Sequence, residues 1–381
     1  MVEGRLVKAA RSGRWPALDG LRAVAVLVVV IYHLDIEVFR HKIFTGGYEG
    51  VDVFFVLSGF LITTLLIKEV DTTSGLDFRA FYARRALRLF PALTVVIVFA
   101  VLAAATFAPT DMKHPTFSGL PWVIFYVGNW DRALLSPTSL GLLAHTWSLA
   151  IEEQFYFLWP VIFFLFFARI RNRRRIGQGL LALAGIDVLY QFAMLHHGWS
   201  NDRLGNGLDT HCDGLLIGCG IAFLLVSRHA DAAAGRWTRV GGIGGVCVLA
   251  ITILTASPAP FWGATAGITL ASASTGAVLW SMLTSPIRLL DLVLRSKPAV
   301  WVGQRSYGLY LWHYPLLLAL NPSASTGARR YEADLVVVLL TFMVTIASYR
   351  FVEQPFLRLK TRFQHAQLNE PDRSARLGLA E

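Results

Sequence analysis

Charge is what this chain has least of. Asp, Glu, Lys and Arg make up 16% of its 381 residues, against about 25% in a typical soluble protein. Cysteine is nearly missing as well: Cys212, Cys219 and Cys247 are the whole complement. An odd number without Cys-x-x-Cys spacing excludes a disulfide framework and a thiolate metal site. All three sit in apolar runs and read as small hydrophobes. There is no Gly-x-Ser-x-Gly elbow, no His-Glu-x-x-His and no phosphate-binding P-loop. "HGWSND" gives His197 and Asp202 a His-x4-Asp spacing, but in a loop away from any cytosolic donor, so it is taken as chance. Neither a repeat of fixed period nor the composition of a domain linker is visible.

What replaces charge is oil. The chain is 55% hydrophobic, with a mean hydropathy of +0.52. Several apolar runs reach the ~20 residues that a membrane crossing needs. We expect an all-α, polytopic helical bundle with about ten spans, near 18–36, 50–68, 91–108, 147–168, 176–195, 211–228, 238–256, 262–283, 301–320 and 335–352. The net charge of +10 could suggest nucleic acid on a soluble protein. Here the cations cluster between the spans, so a lipid bilayer is the expected partner and nucleic acid is not. With both termini inside, 26 of the 35 Lys and Arg fall on the inner side, 7 on the outer, and Arg22 and Arg305 at the boundaries. That split follows the positive-inside rule and implies a multi-pass protein of the cell membrane with cytoplasmic termini. "GLPWVIFYVGNW" (119–130) is apolar but only twelve residues long. Counting it as a crossing would put "RIRNRRR" (169–175) outside, so a re-entrant or interfacial segment is expected. Residues 1–16 read as a basic cytoplasmic segment, 17–361 as one membrane domain and 362–381 as a polar, disordered tail.

Ionisable residues inside such runs are costly, and each is a functional candidate. Arg22 and His33 are eleven apart, which places them on one helix face roughly 16 Å apart along the axis. Arg22 would lie near the cytoplasmic end and His33 near the outer end. Alternatively Arg22 snorkels or pairs with Asp19, and His33 merely caps the span. Asp52, in "GGYEGVDVFFVLSGFLIT" (46–63), is expected at a depth similar to His33, where a carboxylate could orient the imidazole. "FRAFYARRALRLFPAL" (78–93) gathers Arg84, Arg85 and Arg88, whose guanidinium forks suit phosphate oxygens; ordinary positive-inside charge is the plainer reading. "HTWSLAIEEQFYFLWP" (145–160) stripes His145, Leu149, Glu152 and Tyr156 along one face with Glu153 beside it. The two carboxylates could serve as a base, an imidazole partner or a counterion for Arg22. "SYGLYLWHYPLL" (306–317) carries Tyr307, Tyr310 and His313, the last either a structural hydrogen-bonder or a base.

Arg22 and His33 with ten residues between them, "GVDVFFVLSGFLIT", "RRALR", "HTWSLAIEEQFYFLWP", "SYGLYLWHYP" and "FVEQP" follow one another in a single order. The ordered set resembles the acyltransferase-three family of integral-membrane O-acyltransferases, from about Pro16 to Phe356. The resemblance implies transfer of an acyl group, commonly acetyl, from cytosolic acyl-CoA to a hydroxyl of a carbohydrate, glycolipid or macrolide-type acceptor. It implies His33 as the catalytic histidine and Arg22 as its paired cation, with Arg85 and Arg88 on the CoA side. The run from Trp147 to Tyr156, including Glu153, matches a further functional signature. Many members carry an added SGNH esterase-like domain, and none is expected within these residues.

Joined to the residue-level reading, this gives a set of expectations. His33, Asp52, Glu153 and Arg22 are candidate catalytic residues. Arg84, Arg85 and Arg88 are expected to hold acetyl-CoA or another acyl-CoA, which is a donor substrate; no metal is expected. Trp147, Ser148, Glu152, Tyr156 and His313 are expected to meet substrate. A multi-span transporter using intramembrane charge is the alternative, although it often shows the inverted repeat missing here. A membrane-bound O-acyltransferase of the other large class is a second alternative.

Overall fold

The computed structural model describes residues 15–38, 41–73, 75–135, 138–227, 234–257, 265–320 and 328–359. The expected basic segment, all but its last two residues, and the expected disordered tail lie outside the described residues. The described chain is helical apart from a two-residue hairpin, β1 (Glu37–Val38) with β2 (His41–Lys42), in the first loop.

Local chemistry sets the helix ends. α1 (Pro16–Leu34) starts with a proline at its first turn, where no backbone donor is lost, and stops at Asp35 in the left-handed region (φ 54°). α2 (Gly50–Thr73) follows a short 3-10 turn, Gly47–Glu49. α3 (Phe78–Thr106) is capped by Asp77, whose carboxylate accepts from the Ala80 N–H. α4 (Thr110–Ile124) and α5 (Gly128–Leu134) break around Tyr126, which has φ 53°. The break falls inside 119–130, the segment too short to cross.

α6 (Thr146–Ile162) runs on through a π-turn, Phe163–Phe167. α7 (Arg173–His196) begins on the Asn172 cap, and α8 (Asn201–Asn206) is short. Then come α9 (Asp213–Val226), α10 (Ala234–Thr255), α11 (Gly267–Thr284) and α12 (Arg288–Leu294). α13 (Lys297–Gly303), α14 (Ser306–Leu320), α15 (Ala328–Ser348) and α16 (Gln354–Leu359) complete the described chain.

Each of the ten expected spans coincides with helix, but not all are full crossings. Among the described residues seven helices are long and apolar enough, and an eighth is reached if α11 and α12, bent by 97°, count as one span. The other two positions hold α9, with 14 residues, and α14, with 15. α9 falls two residues short of its expected span at each end, and α14 is shortened at its N-terminal end. The short helix α8 and a 3-10 turn, Leu208–Thr210, precede α9, and a break at Gln304–Arg305 detaches α13 from α14.

α2 is the centre of the bundle: 78% of its apolar window is buried, against 22% for the helix that includes α15. α2 and α9 pack closely because glycine faces backbone on both sides. A Cβ on Gly59 would strike the Leu215 carbonyl, and one on Gly218 the Val56 carbonyl. Large apolar residues remain exposed on the outer helices, among them Phe166, Ile186, Leu189, Ile251, Val336 and Met343. With acids and histidines buried inside, this is the pattern of a bundle whose solvent is lipid.

Candidate active site

Polar side chains gather inside the bundle in two groups, and helices α1, α6 and α14 each contribute to both. α1 carries Arg22 and His33 about 16 Å apart along its axis. α14 runs the same way, with Tyr307 toward the arginine end and Tyr310, His313 and Tyr314 toward the histidine end. α6 runs opposite: His145, Trp147 and Ser148 come first, then Glu152, Glu153 and Tyr156. The contacts fix this arrangement. Ser148 Oγ lies 2.6 Å from Tyr310 Oη, and the Tyr310 hydroxyl donates to the His145 carbonyl (2.8 Å). Tyr307 donates to the Leu89 carbonyl of α3 (2.9 Å).

At the arginine end, most charges are already matched. Arg85 meets the Glu153 carboxylate (3.3 Å) and stacks its guanidinium 2.9 Å from the centre of the Tyr156 ring. Glu153 is therefore the counterion of Arg85, and not of Arg22 or an imidazole. Arg84 pairs with Glu69 (3.3 Å), and Arg22 with Asp19 (3.6 Å). Glu152 accepts from Ser58 and from the Tyr156 hydroxyl (3.2 Å). Arg88 differs from its neighbours. It is exposed and forms no ion pair or hydrogen bond with the described residues, although the charges of Arg22, Arg85, Glu152 and Glu353 bear on it. Arg305 joins this end, stacked between Trp301 (4.1 Å) and Tyr349 (4.5 Å), with its charge acting on Glu353. Of the three arginines expected at a donor, two have carboxylate partners and one is uncommitted.

At the histidine end, three imidazoles meet. His33 and His313 rings lie 5.1 Å apart, His145 and His313 5.6 Å, and Tyr314 touches both His33 (5.0 Å) and His145 (5.2 Å). The hydrogen bonds assign the protons. His33 Nδ1 faces the Val29 carbonyl at 2.9 Å, and His313 Nδ1 faces the Tyr310 carbonyl at 2.6 Å. A carbonyl only accepts, so Nδ1 carries the hydrogen in both rings. His313 Nε2 is then a lone pair, 3.3 Å from His33 Nδ1, and shares that N–H with Val29. His33 is left with an unprotonated Nε2 that has no hydrogen bond among the described residues. That is the state of a base awaiting a proton.

Asp52 is not the orienter of His33. Its Oδ1 lies 2.7 Å from His211 Nε2, and both side chains are buried. His211 Nδ1 donates to the Gly205 carbonyl at 2.5 Å, so the Asp52–His211 pair shares one proton between Oδ1 and Nε2. The first helix residues of α2 and the start of α9 place these groups together, and His313 takes the place beside His33.

Sequence reading missed His211, and saw Arg132 and Arg305 only as loop or boundary charges. The signal for His211 was available: with Asp213 it opens an apolar run, the same anomaly that marks His33. Arg132 carried no such signal, because its helix α5 is short and polar. Among the described residues, no cluster of His, Cys, Asp and Glu has the geometry to hold a metal ion.

Comparison with known proteins decides the family. The model of an acyltransferase domain, the acyltransferase-three type, matches residues 15–351. The chain belongs to that family. It is 33% identical over 356 residues to the peptidoglycan O-acetyltransferase OatA of Listeria monocytogenes, covering 89% of this chain and 55% of that protein. It is also 33% identical over 352 residues to O-acetyltransferase OatA of Staphylococcus aureus, covering 89% and 57%. The chain thus spans just over half the length of these relatives. No solved structure matches it. This family membership does not favour the transporter reading.

Proposed function

We propose that this acyltransferase-three protein moves an acetyl group from cytosolic acetyl-CoA to a hydroxyl of a glycan or glycolipid acceptor beyond the membrane. The observation that carries the reading is the pairing, in one bundle, of an uncommitted cation at one end with an open imidazole nitrogen at the other. A glycan is favoured over a macrolide because both relatives are O-acetyltransferases and one is named for peptidoglycan. The proposed setting is the cell membrane, with the arginine end and both termini on the cytoplasmic side.

In the proposed reaction, CoA phosphates bind Arg88 first, with Arg22 and Arg305 close by. The pantetheine arm follows the Arg22 face of α1 toward His33, a path of about 16 Å. His33 Nε2 takes the proton of the acceptor hydroxyl as its oxygen attacks the thioester carbonyl. The C–S bond breaks, the acetyl ester forms, and the CoA thiolate recovers the proton from the imidazolium. The Val29 carbonyl holds the His33 tautomer that makes this possible, and His313 accepts from the same N–H. Glu153 and Tyr156 act on the donor side by holding Arg85, while Ser148 ties α6 to the Tyr310 hydroxyl.

A positioned base contributes about 10²–10⁴-fold. His33→Ala should therefore cut acetyl-CoA consumption by that factor in purified vesicles without a solute gradient, while the protein inserts normally. Turnover near that of the unmodified protein would remove His33 from the reaction. Consumption that requires a gradient would point to transport.

A further inference from the structure

Beside the histidine cluster lies a cavity of about 120 Å³. Its polar wall is Asp52, Arg132, Asn206 and His211, and its aromatic wall is Tyr48 and Trp147. At ~30 Å³ per water it holds roughly four. That is room for one edge of a monosaccharide ring with its hydroxyls, and too small for a nucleotide or a long acyl chain.

The wall is built, not incidental. Asp52 is 1% exposed and His211 3%, and their bond is held from behind by the Gly205 carbonyl. Trp147 leans on the His211 ring at 5.7 Å. Arg132 is engaged only through Nε, by Asn206 Oδ1 at 3.2 Å, so its two Nη groups carry no hydrogen bond from the described residues. Asn206 is in turn fixed, its side-chain amide donating to the Asp202 carbonyl (2.8 Å) and its own carbonyl accepting from Asn129 (3.1 Å).

The mixture of groups selects the occupant. An anion would meet the Asp52 carboxylate, and a cation would meet Arg132. A neutral ring whose hydroxyls both donate and accept satisfies both, and aromatic walls suit its apolar faces. One aromatic side chain, Tyr32, links the site to the chemistry. Tyr48 contacts Tyr32 (5.3 Å between rings), and Tyr32 contacts His33 (5.1 Å). The Arg132 charge acts on His33, Tyr310 and Tyr314.

We propose that this cavity is the acceptor subsite: it seats one edge of a pyranose ring, with Trp147 and Tyr48 as platforms and Asp52, His211, Asn206 and Arg132 as hydroxyl partners, and so presents a ring hydroxyl to His33. The inference rests on the acyltransfer reading but has its own readout. Saturation-transfer NMR on the purified full chain in detergent, with the methyl β-glycosides of glucose and N-acetylglucosamine as probes, measures sugar binding without any donor. Acetyl transfer to the same sugars is followed on the same sample.

The expected result is sugar binding to the unmodified protein, weakened at least tenfold in Trp147→Ala and Arg132→Ala and largely retained in Trp147→Phe. CoA binding should be unchanged in each. If the unmodified chain binds neither sugar, or if both alanine variants bind as it does, the subsite is overturned. If acetyl moves to sugar with an unaltered sugar KM in both variants, the subsite falls and the acyltransfer reading stands. If Trp147-dependent sugar binding is found without any acetyl transfer, the sugar site stands and the acyltransfer reading falls.

Discussion

Arg85 and Arg88 are three residues apart and chemically identical, yet the fold gives them different work. Arg85 is held by Glu153 and Tyr156, whereas Arg88 is exposed and has no ion pair among the described residues. Arg88→Ala is therefore expected to weaken acetyl-CoA binding without loss of stability. A charge-assisted hydrogen bond to phosphate is worth ~1.5–3 kcal/mol, which corresponds to roughly a tenfold to hundredfold rise in the donor constant. Lysine should rescue in part, because it keeps the charge and loses the planar fork. Arg85→Ala should behave differently, lowering thermal stability because it strands Glu153. Adding Glu153→Gln should restore part of that loss. Titrating CoA into each variant alongside a melting curve separates the two roles, and equal effects at both positions would contradict the division. At the other end, His313→Leu removes the acceptor that shares the His33 N–H. One hydrogen bond at about 0.5–1.5 kcal/mol predicts a twofold to tenfold fall in kcat. The KM for acetyl-CoA should stay unchanged, and His313→Gln, which offers an oxygen, should recover part of the rate.

At the scale of elements, the crossing of α2 with α9 sets the geometry of the acceptor side, because it brings Asp52 to His211. The crossing depends on glycine meeting backbone, which cannot yield as a flexible side chain would. Gly218→Ala and Gly59→Ala are expected to cost about 1–3 kcal/mol as overpacking, read as a lower melting temperature in detergent. They should impair acceptor use more than CoA binding, since the arginine end is built mainly on α1, α3 and α6. Unchanged melting in both variants would mean that the two helices separate without cost. The elements themselves were readable from composition. Apolar runs located every long helix, and the proline at α1 and the Asp77 cap of α3 are ordinary start signals. The shortness of α14 was not readable, because hydropathy continues across 301–320 while the backbone breaks at Gln304–Arg305.

The whole molecule is a lipid-facing shell around a polar interior that opens differently at its two ends. The proposed orientation places the arginine end and the 169–175 loop in the cytoplasm. In a cysteine-free background, Arg171→Cys should resist an impermeant thiol reagent in intact cells, and His197→Cys should react. Labelling of the first and protection of the second would reverse the map and move the donor site to the outer face.

The sequence alone determined the lipid solvent, the helical class, the positions of the runs and the identity of the costly residues. Each of these follows from short-range chemistry: hydropathy over ~20 residues, charge between runs, and the penalty for an ionisable group in hydrocarbon. It also placed Arg22 and His33 on one face, because helical period is a local property. Partnership was decided only by the tertiary structure. Asp52 and His33 share an expected depth, but depth is one coordinate, and it is the rotation of α2 against α9 that turns the carboxylate to His211. Likewise the choice between Arg85 and Arg88 depends on which one faces α6. The Val29 carbonyl sets the tautomer of His33 within one helix turn, but the second acceptor on that N–H is a nitrogen 280 residues away in the chain. Such bonds reach only about 3 Å, and the side chains they join are set by helix packing that no local run of residues specifies.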